Sequence, residues 1–132
     1  MASRVTFDLN PRFVFFSPFH ASTAGAPAIA EYVDHAIIAL DGRAPFAGEV
    51  TLETLAPPDE GATLRVELWV SDLDDCTCTY GFLVSSENGR MPHARGERTV
   101  VNVDPASNSP ARWTADFRVK HENLRRDLPA YG

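Results

Sequence analysis

The residues best equipped for chemistry crowd into one short stretch, His20 to Gly25, which reads HASTAG. A histidine such as His20 can take a proton from water near neutral pH or orient that water. It serves equally well as a surface residue bonded to backbone, and both readings stay open. Ser22 and Thr23 place two hydroxyls just ahead of Gly25. A serine oxygen becomes a nucleophile only with a base beside it. The same oxygen caps a helix by accepting from its first N–H groups, so Ser22 or Thr23 fits that role too. Ala24, Gly25 and Ala26 carry almost no side chain, which lets a ligand approach the backbone. A helix that starts just behind them supplies free N–H groups and the positive end of its dipole. Such an end polarises a carbonyl and stabilises the oxyanion formed on it.

The elements that must hold this stretch follow from the pattern around it. From Pro27 to Leu40 the apolar residues Ile29, Val33, Ile37 and Leu40 recur at helical spacing. Pro27 suits the first turn, where its missing N–H costs nothing, and Asp41-Gly42 ends the helix. Glu31 and His35 lie four apart and share a face. Glu31 and Asp34 are candidate acids near the site, or simply part of a solvated helix face. Ahead of the cluster, Val5 to Phe19 is aromatic-rich and β-prone, interrupted by Pro11 and Pro18, and supplies a first strand.

The remainder reads as strands. Glu49 to Leu55 alternates polar and apolar residues before a break at Pro57-Pro58-Asp59-Glu60-Gly61. Thr63 to Asp72 alternates through Leu64, Val66, Leu68 and Val70, and Cys76 to Ser85 follows. Asn88-Gly89 is a hairpin signal that returns the chain as His93 to Val103. The charged tail from Lys120, KHENLRRDLPAYG, reads as a surface helix or a disordered end. One long helix among antiparallel strands makes the fold α+β, a single domain over residues 1–132 with its core about 5–119 and a tail at 120–132.

Composition removes several classes of function. A net charge of −6 argues against nucleic acid or an anionic membrane surface as the main partner. No apolar run reaches the roughly 18 residues that a membrane span needs. The N-terminus shows no signal-peptide architecture, so the expected location is the cytoplasm. Cys76 and Cys78 are one residue apart on one strand face, a poor geometry for a disulfide, and they have no partner pair at zinc spacing. No metal or cofactor is expected, and no nucleotide-loop or Ser-His-Asp signature is present.

The order and punctuation of these segments resemble the hot-dog thioesterases of the 4-hydroxybenzoyl-CoA thioesterase type. In that family a D-x-x-G loop leads to a helix with a tyrosine seven residues after the glycine, and Gly25 and Tyr32 hold this spacing. TLETLAPPDEGATL (Thr51 to Leu64) matches the family's long strand, Pro-containing turn and glycine. SENGRMPHARGERTVVNVD (Ser86 to Asp104) follows the hairpin and the A-R-G-x-R-x-V-x-x-V-D strand. The resemblance covers about Val14 to Asp104. One departure stands out: Ser22 occupies the place of the family's catalytic aspartate, and His20 that of an often acidic neighbour. Some polyketide hot-dog thioesterases also lack the acid, carrying asparagine, and this chain is most similar to that branch.

The resemblance implies one central helix wrapped by a twisted antiparallel sheet, and a homodimer or homotetramer whose sites lie between subunits. It implies hydrolysis of an acyl-CoA or acyl-carrier-protein thioester. Ser22, Thr23 and the amides after Gly25 and Ala26 would position water and carbonyl, with His20 or Glu31 as base. Another hot-dog branch carries its catalytic carboxylate on this helix, which puts Asp34 beside Glu31 as a candidate. Tyr32 matches a position near the substrate pocket, and Thr51 and Thr54 lie on the strand that faces the partner's helix. Arg95 and Arg98 are placed to meet the phosphates of coenzyme A or a phosphopantetheine arm. Two alternatives remain open: dehydration, isomerisation or cyclisation of a thioester-bound chain, or a non-catalytic module that holds an acyl chain or carrier protein.

Overall fold

Alternation with period two sends Leu64, Val66, Leu68 and Val70 to one side of a strand and Arg65, Glu67 and Trp69 to the other. The computed structural model describes residues 11–20, 29–43 and 48–126. There the alternating segment is strand β3, Thr63–Leu73, and its four even-numbered aliphatic residues are fully buried. Strand β4, Thr77–Ser86, pairs antiparallel with it, so that Phe82 stands opposite Leu68 and Val84 opposite Val66. The hairpin from β4 to β5, Pro92–Val101, turns at Asn88-Gly89, with Gly89 at φ +78° and the Asn88 side chain accepting from the Arg90 N–H. Strand β1, Phe13–Pro18, adds to the free side of β3, and β2, Val50–Thr54, adds to the free side of β5. The resulting five-stranded sheet runs β1-β3-β4-β5-β2, antiparallel throughout.

Helix α1, Ile29–Asp41, lies on the face where the even residues of β3 and β4 emerge. Its stripe Ile29, Tyr32, Val33, Ala36, Ile37 and Leu40 is buried against them. Covering a Val, Leu or Ile side chain contributes roughly 1.5–3 kcal/mol, and this contact holds the helix on the sheet. Gly42, at φ +78°, donates its N–H to the Ile38 carbonyl at 2.7 Å and ends the helix in the left-handed turn expected there. The expected α+β arrangement of one long helix on an antiparallel sheet is the observed one.

The C-terminal part differs from expectation. Strand β5 ends at Val101, and a small ribbon of β6, Val103–Asp104, and β7, Ser109–Pro110, follows. Helix α2, Ala115–Glu122, then runs across the point where the charged tail was expected to begin. Thr114 caps it by accepting from the Phe117 N–H at 3.1 Å. Trp113, Phe117 and His121, spaced by four, stack in a row, with centroids 3.9 Å and then 3.6 Å apart. Net charge misleads here because His121, in the most charged segment of the chain, is fully buried and has polar partners to receive it. Among the described residues no helix is long and apolar enough to cross a membrane.

Candidate active site

Backbone bonds tie down a neck where β1 ends, beside His20. Phe19 donates to the Ala62 carbonyl at 2.8 Å, and Gly61 donates back to the Phe19 carbonyl at 2.7 Å. These bonds fasten the end of β1 to the β2–β3 turn. From the first turn of α1, Tyr32 reaches back to the next residue: its hydroxyl accepts from the His20 N–H at 2.9 Å and donates to the His20 carbonyl at 3.3 Å. Tyr32 is itself buried, packed on Phe19 with ring centroids 5.7 Å apart. Tyr32 therefore closes this neck between the end of β1 and α1, and its hydroxyl is taken up by backbone. Ser22, Thr23, Gly25 and Ala26 lie outside the described residues.

The His20 ring projects outward. Its Nδ1 lies 2.9 Å from Glu60 Oε2 on the β2–β3 turn, with the two side chains 69% and 58% exposed. A carboxylate only accepts, so in the neutral imidazole this contact places the ring proton on Nδ1 and the lone pair on Nε2. That tautomer is the one a general base requires. Sequence reasoning took Glu60 only as part of a chain break. It is 40 residues from His20, and no local spacing could reveal the pair.

The remaining candidates are dispersed. Glu31 and His35 are both exposed on α1, and the His35 and Tyr32 rings meet in a T-shaped arrangement with centroids 5.6 Å apart. Asp34 accepts from Arg98 Nε at 3.1 Å, and Arg98 also donates to the Thr99 carbonyl at 2.7 Å, so this arginine ties β5 to α1. Arg95, three residues earlier on the same strand, points to the opposite face and pairs with Glu53 at 2.6 Å across to β2. The two arginines thus form no common patch. Thr51 and Thr54 are exposed on β2, which is the sheet edge. Gly96 lets that edge strand approach, because a Cβ there would come within 1.9 Å of the Thr51 carbonyl oxygen. A cavity of about 640 Å³ on the sheet face turned away from α1 is lined by Thr51, Glu53, Trp69, Leu83, Arg95 and Glu97. His20 is not part of it. Among the described residues no cluster of His, Cys, Asp and Glu could hold a metal ion.

The sequence matches no protein-family model, and no curated protein matches it significantly. Solved structures do match its fold. A predicted thioesterase from Bacillus stearothermophilus superimposes with a TM-score of 0.65 at 13% identity, over 89% of this chain and 100% of the other. A 1,4-dihydroxy-2-naphthoyl-CoA thioesterase from Synechocystis gives a TM-score of 0.65 at 14% identity, over 89% and 99%. The dynemicin thioesterase, whose structures record polyene binding, gives 0.64 at 14% identity, again over 89% and 99%. With the strand order and the helix on one face, these likenesses show that the chain has the hot-dog fold.

Proposed function

We propose that the chain hydrolyses an acyl thioester at the start of α1, with His20 as general base. The observation that carries this reading is the His20–Glu60 contact at 2.9 Å, which in the neutral imidazole leaves the Nε2 lone pair to act as base, on a residue whose backbone is bonded to Tyr32 in the first turn of α1. Nε2 takes a proton from water as the water oxygen bonds to the thioester carbonyl carbon. The oxyanion is met by unpaired N–H groups where the helix begins. When the C–S bond breaks, the proton on Nε2 passes to the leaving thiolate, so the imidazole returns neutral and a carboxylic acid and a thiol are released. Ser22 and Thr23 shape the loop in this mechanism and form no acyl-enzyme. The substrate we propose is an acyl-CoA or acyl-carrier-protein thioester carrying a polyketide chain. The missing acid at Ser22 and the likeness to the dynemicin thioesterase both support it.

We also propose that the site is completed by a second copy paired along β2. That strand is exposed along its length and shows Val50 and Leu52 at 42% and 36% exposure on the helix side. An open edge of this kind invites strand pairing. A stable monomer at micromolar concentration in sedimentation would refute the assembly.

Thiol release from a panel of acyl-CoA and carrier-bound thioesters tests the chemistry. His20→Gln is expected to lower turnover by about a hundredfold to ten-thousandfold, the usual worth of a general base. Retention of activity within a few-fold would remove His20 from the mechanism. Binding without turnover in the unaltered chain would mark a non-catalytic module instead.

A further inference from the structure

Asp41, the last residue of α1, meets Tyr80 of β4 and His121 of α2 in a cluster shut off from solvent. The Asp41 and His121 side chains are 8% and 0% exposed. Tyr80 Oη stands 2.5 Å from Asp41 Oδ2 and 3.0 Å from His121 Nε2, and that Nε2 is 2.9 Å from Asp41 Oδ1. On the other side of the ring, His121 Nδ1 lies 2.8 Å from the Phe117 carbonyl oxygen. A carbonyl oxygen only accepts, so Nδ1 carries a proton. The phenol has one proton, and burial pushes its pKa well above the ordinary value, so the proton stays; the short contact assigns it to Asp41 Oδ2. Neither proton serves the contact between Nε2 and Oδ1. Without another, Asp41 Oδ1 is a buried acceptor with no donor, and a ring lone pair faces a carboxylate. One added proton between the two residues completes the network.

We infer that Asp41 and His121 share a single buried proton, and that this proton, beside the Lys120 bond to the Leu40 carbonyl, holds α2 on the end of α1. His121 is the one buried residue of α2, so the helix has no apolar anchor of the same depth. Behind it a cavity of about 530 Å³, lined by Asp41, Arg43, Asn102, Trp113, Phe117 and Lys120 among others, leaves one side of the fastening unpacked. Just past the helix, the Val70 N–H donates to the Leu124 carbonyl and the Arg126 N–H donates to the Val70 carbonyl, both at 2.9 Å, so the chain stays tied to β3 there while the pair governs how α2 itself is seated.

The other ionisable groups around the cluster do not supply the proton. Cys78, beside Tyr80 on β4, has its thiol pushed up to about 12 by burial, with Asp41 and Asp72 of β3 adding to the rise. Lys120 donates to the Leu40 carbonyl, Arg43 donates to Asn102 at 2.9 Å, and Asp116 lies in the first turn of α2 at the cavity.

The sign of the pH dependence follows from counting protons. Docked, the pair holds one. Released into water, an ordinary histidine and aspartate titrate near about 6.5 and 3.9. Above about pH 6.5 the released pair holds none, so docking takes up a proton and weakens as pH rises, by up to about tenfold per unit. Between the two values both states hold one proton, and docking is at its strongest. Below about 3.9 the released pair holds two, and docking weakens again.

Hydrogen exchange on the whole chain tests this through the protection factors of the amides of residues 119–123 between pH 7 and 9. In the unaltered chain they are expected to fall by up to about tenfold per pH unit. Asp41→Asn supplies the missing hydrogen permanently, because its amide donates to Nε2 while its oxygen accepts from Tyr80. Its protection factors should be flat over that range. A flat profile in the unaltered chain, or the same slope in both proteins, overturns the inference. If Asp41→Asn does not fold, His121→Gln takes its place, since it keeps a donor towards Asp41 and has no titrating ring. A slope like that of the unaltered chain in His121→Gln is equally fatal.

Discussion

Two histidine–carboxylate pairs stand at opposite ends of α1, each with 2.9 Å between nitrogen and oxygen. Each is tied to a tyrosine, Tyr32 at the helix start and Tyr80 at its end. What separates them is water. His20 and Glu60 are more than half exposed, whereas His121 and Asp41 are enclosed. An exposed pair contributes at most about 1 kcal/mol, so little of the fold rests on His20–Glu60, and in the proposed mechanism its second ring nitrogen takes the proton of the attacking water. The enclosed pair has no access to substrate, and its loss leaves a charge or a lone pair stranded. On the roles proposed for them, equal geometry serves chemistry at one end and assembly at the other, and burial decides which.

Removing a partner from each pair is the sharpest way to break the comparison. His121→Leu strands Asp41 and is expected to cost about 3–5 kcal/mol in urea unfolding. His20→Gln should cost less than about 1 kcal/mol in the same measurement. Similar losses at the two ends would sink the distinction. The tyrosines come next. Tyr80→Phe takes the donor from a buried carboxylate oxygen and should cost about 1–3 kcal/mol, against about 0.5–1.5 kcal/mol for Tyr32→Phe at the less enclosed neck. A larger loss at Tyr32 would show that the neck, not the fastening, is the tighter joint. The smallest effect is expected for Glu60→Gln, which should leave stability within about 0.5 kcal/mol. It should lower kcat without raising KM, and add nothing further in a His20→Gln background. An independent, additive loss in that double variant would separate Glu60 from the base.

The parts of this picture that were legible in the sequence are those written in local periodicity. Ile29, Val33, Ile37 and Leu40 marked α1, Leu64 to Val70 marked β3, and Asn88-Gly89 marked the hairpin. The two pairs were not legible, because Glu60 lies 40 residues from His20 and Asp41 lies 80 from His121. Asp41 was read as a helix terminator, which it is, and that role concealed its second one. Helix α2 had a readable signal in the four-residue spacing of Trp113, Phe117 and His121 and in the cap at Thr114. The surrounding charge obscured it. Arg95 and Arg98 looked like one phosphate-binding patch until strand pleating sent them to opposite faces.

The aromatic row at α2 also makes the molecule its own optical gauge. Trp113, 7% exposed and lying flat on Phe117, holds its indole N–H against the Thr77 carbonyl. The second tryptophan, Trp69, sits on the far face of the sheet beneath the Arg126 guanidinium. With Trp69→Phe the chain keeps a single indole, and the colour of its emission reports whether α2 is seated. A red shift on raising the pH, at a protein concentration and timescale far from those of an exchange experiment, would show the helix leaving its seat in real time.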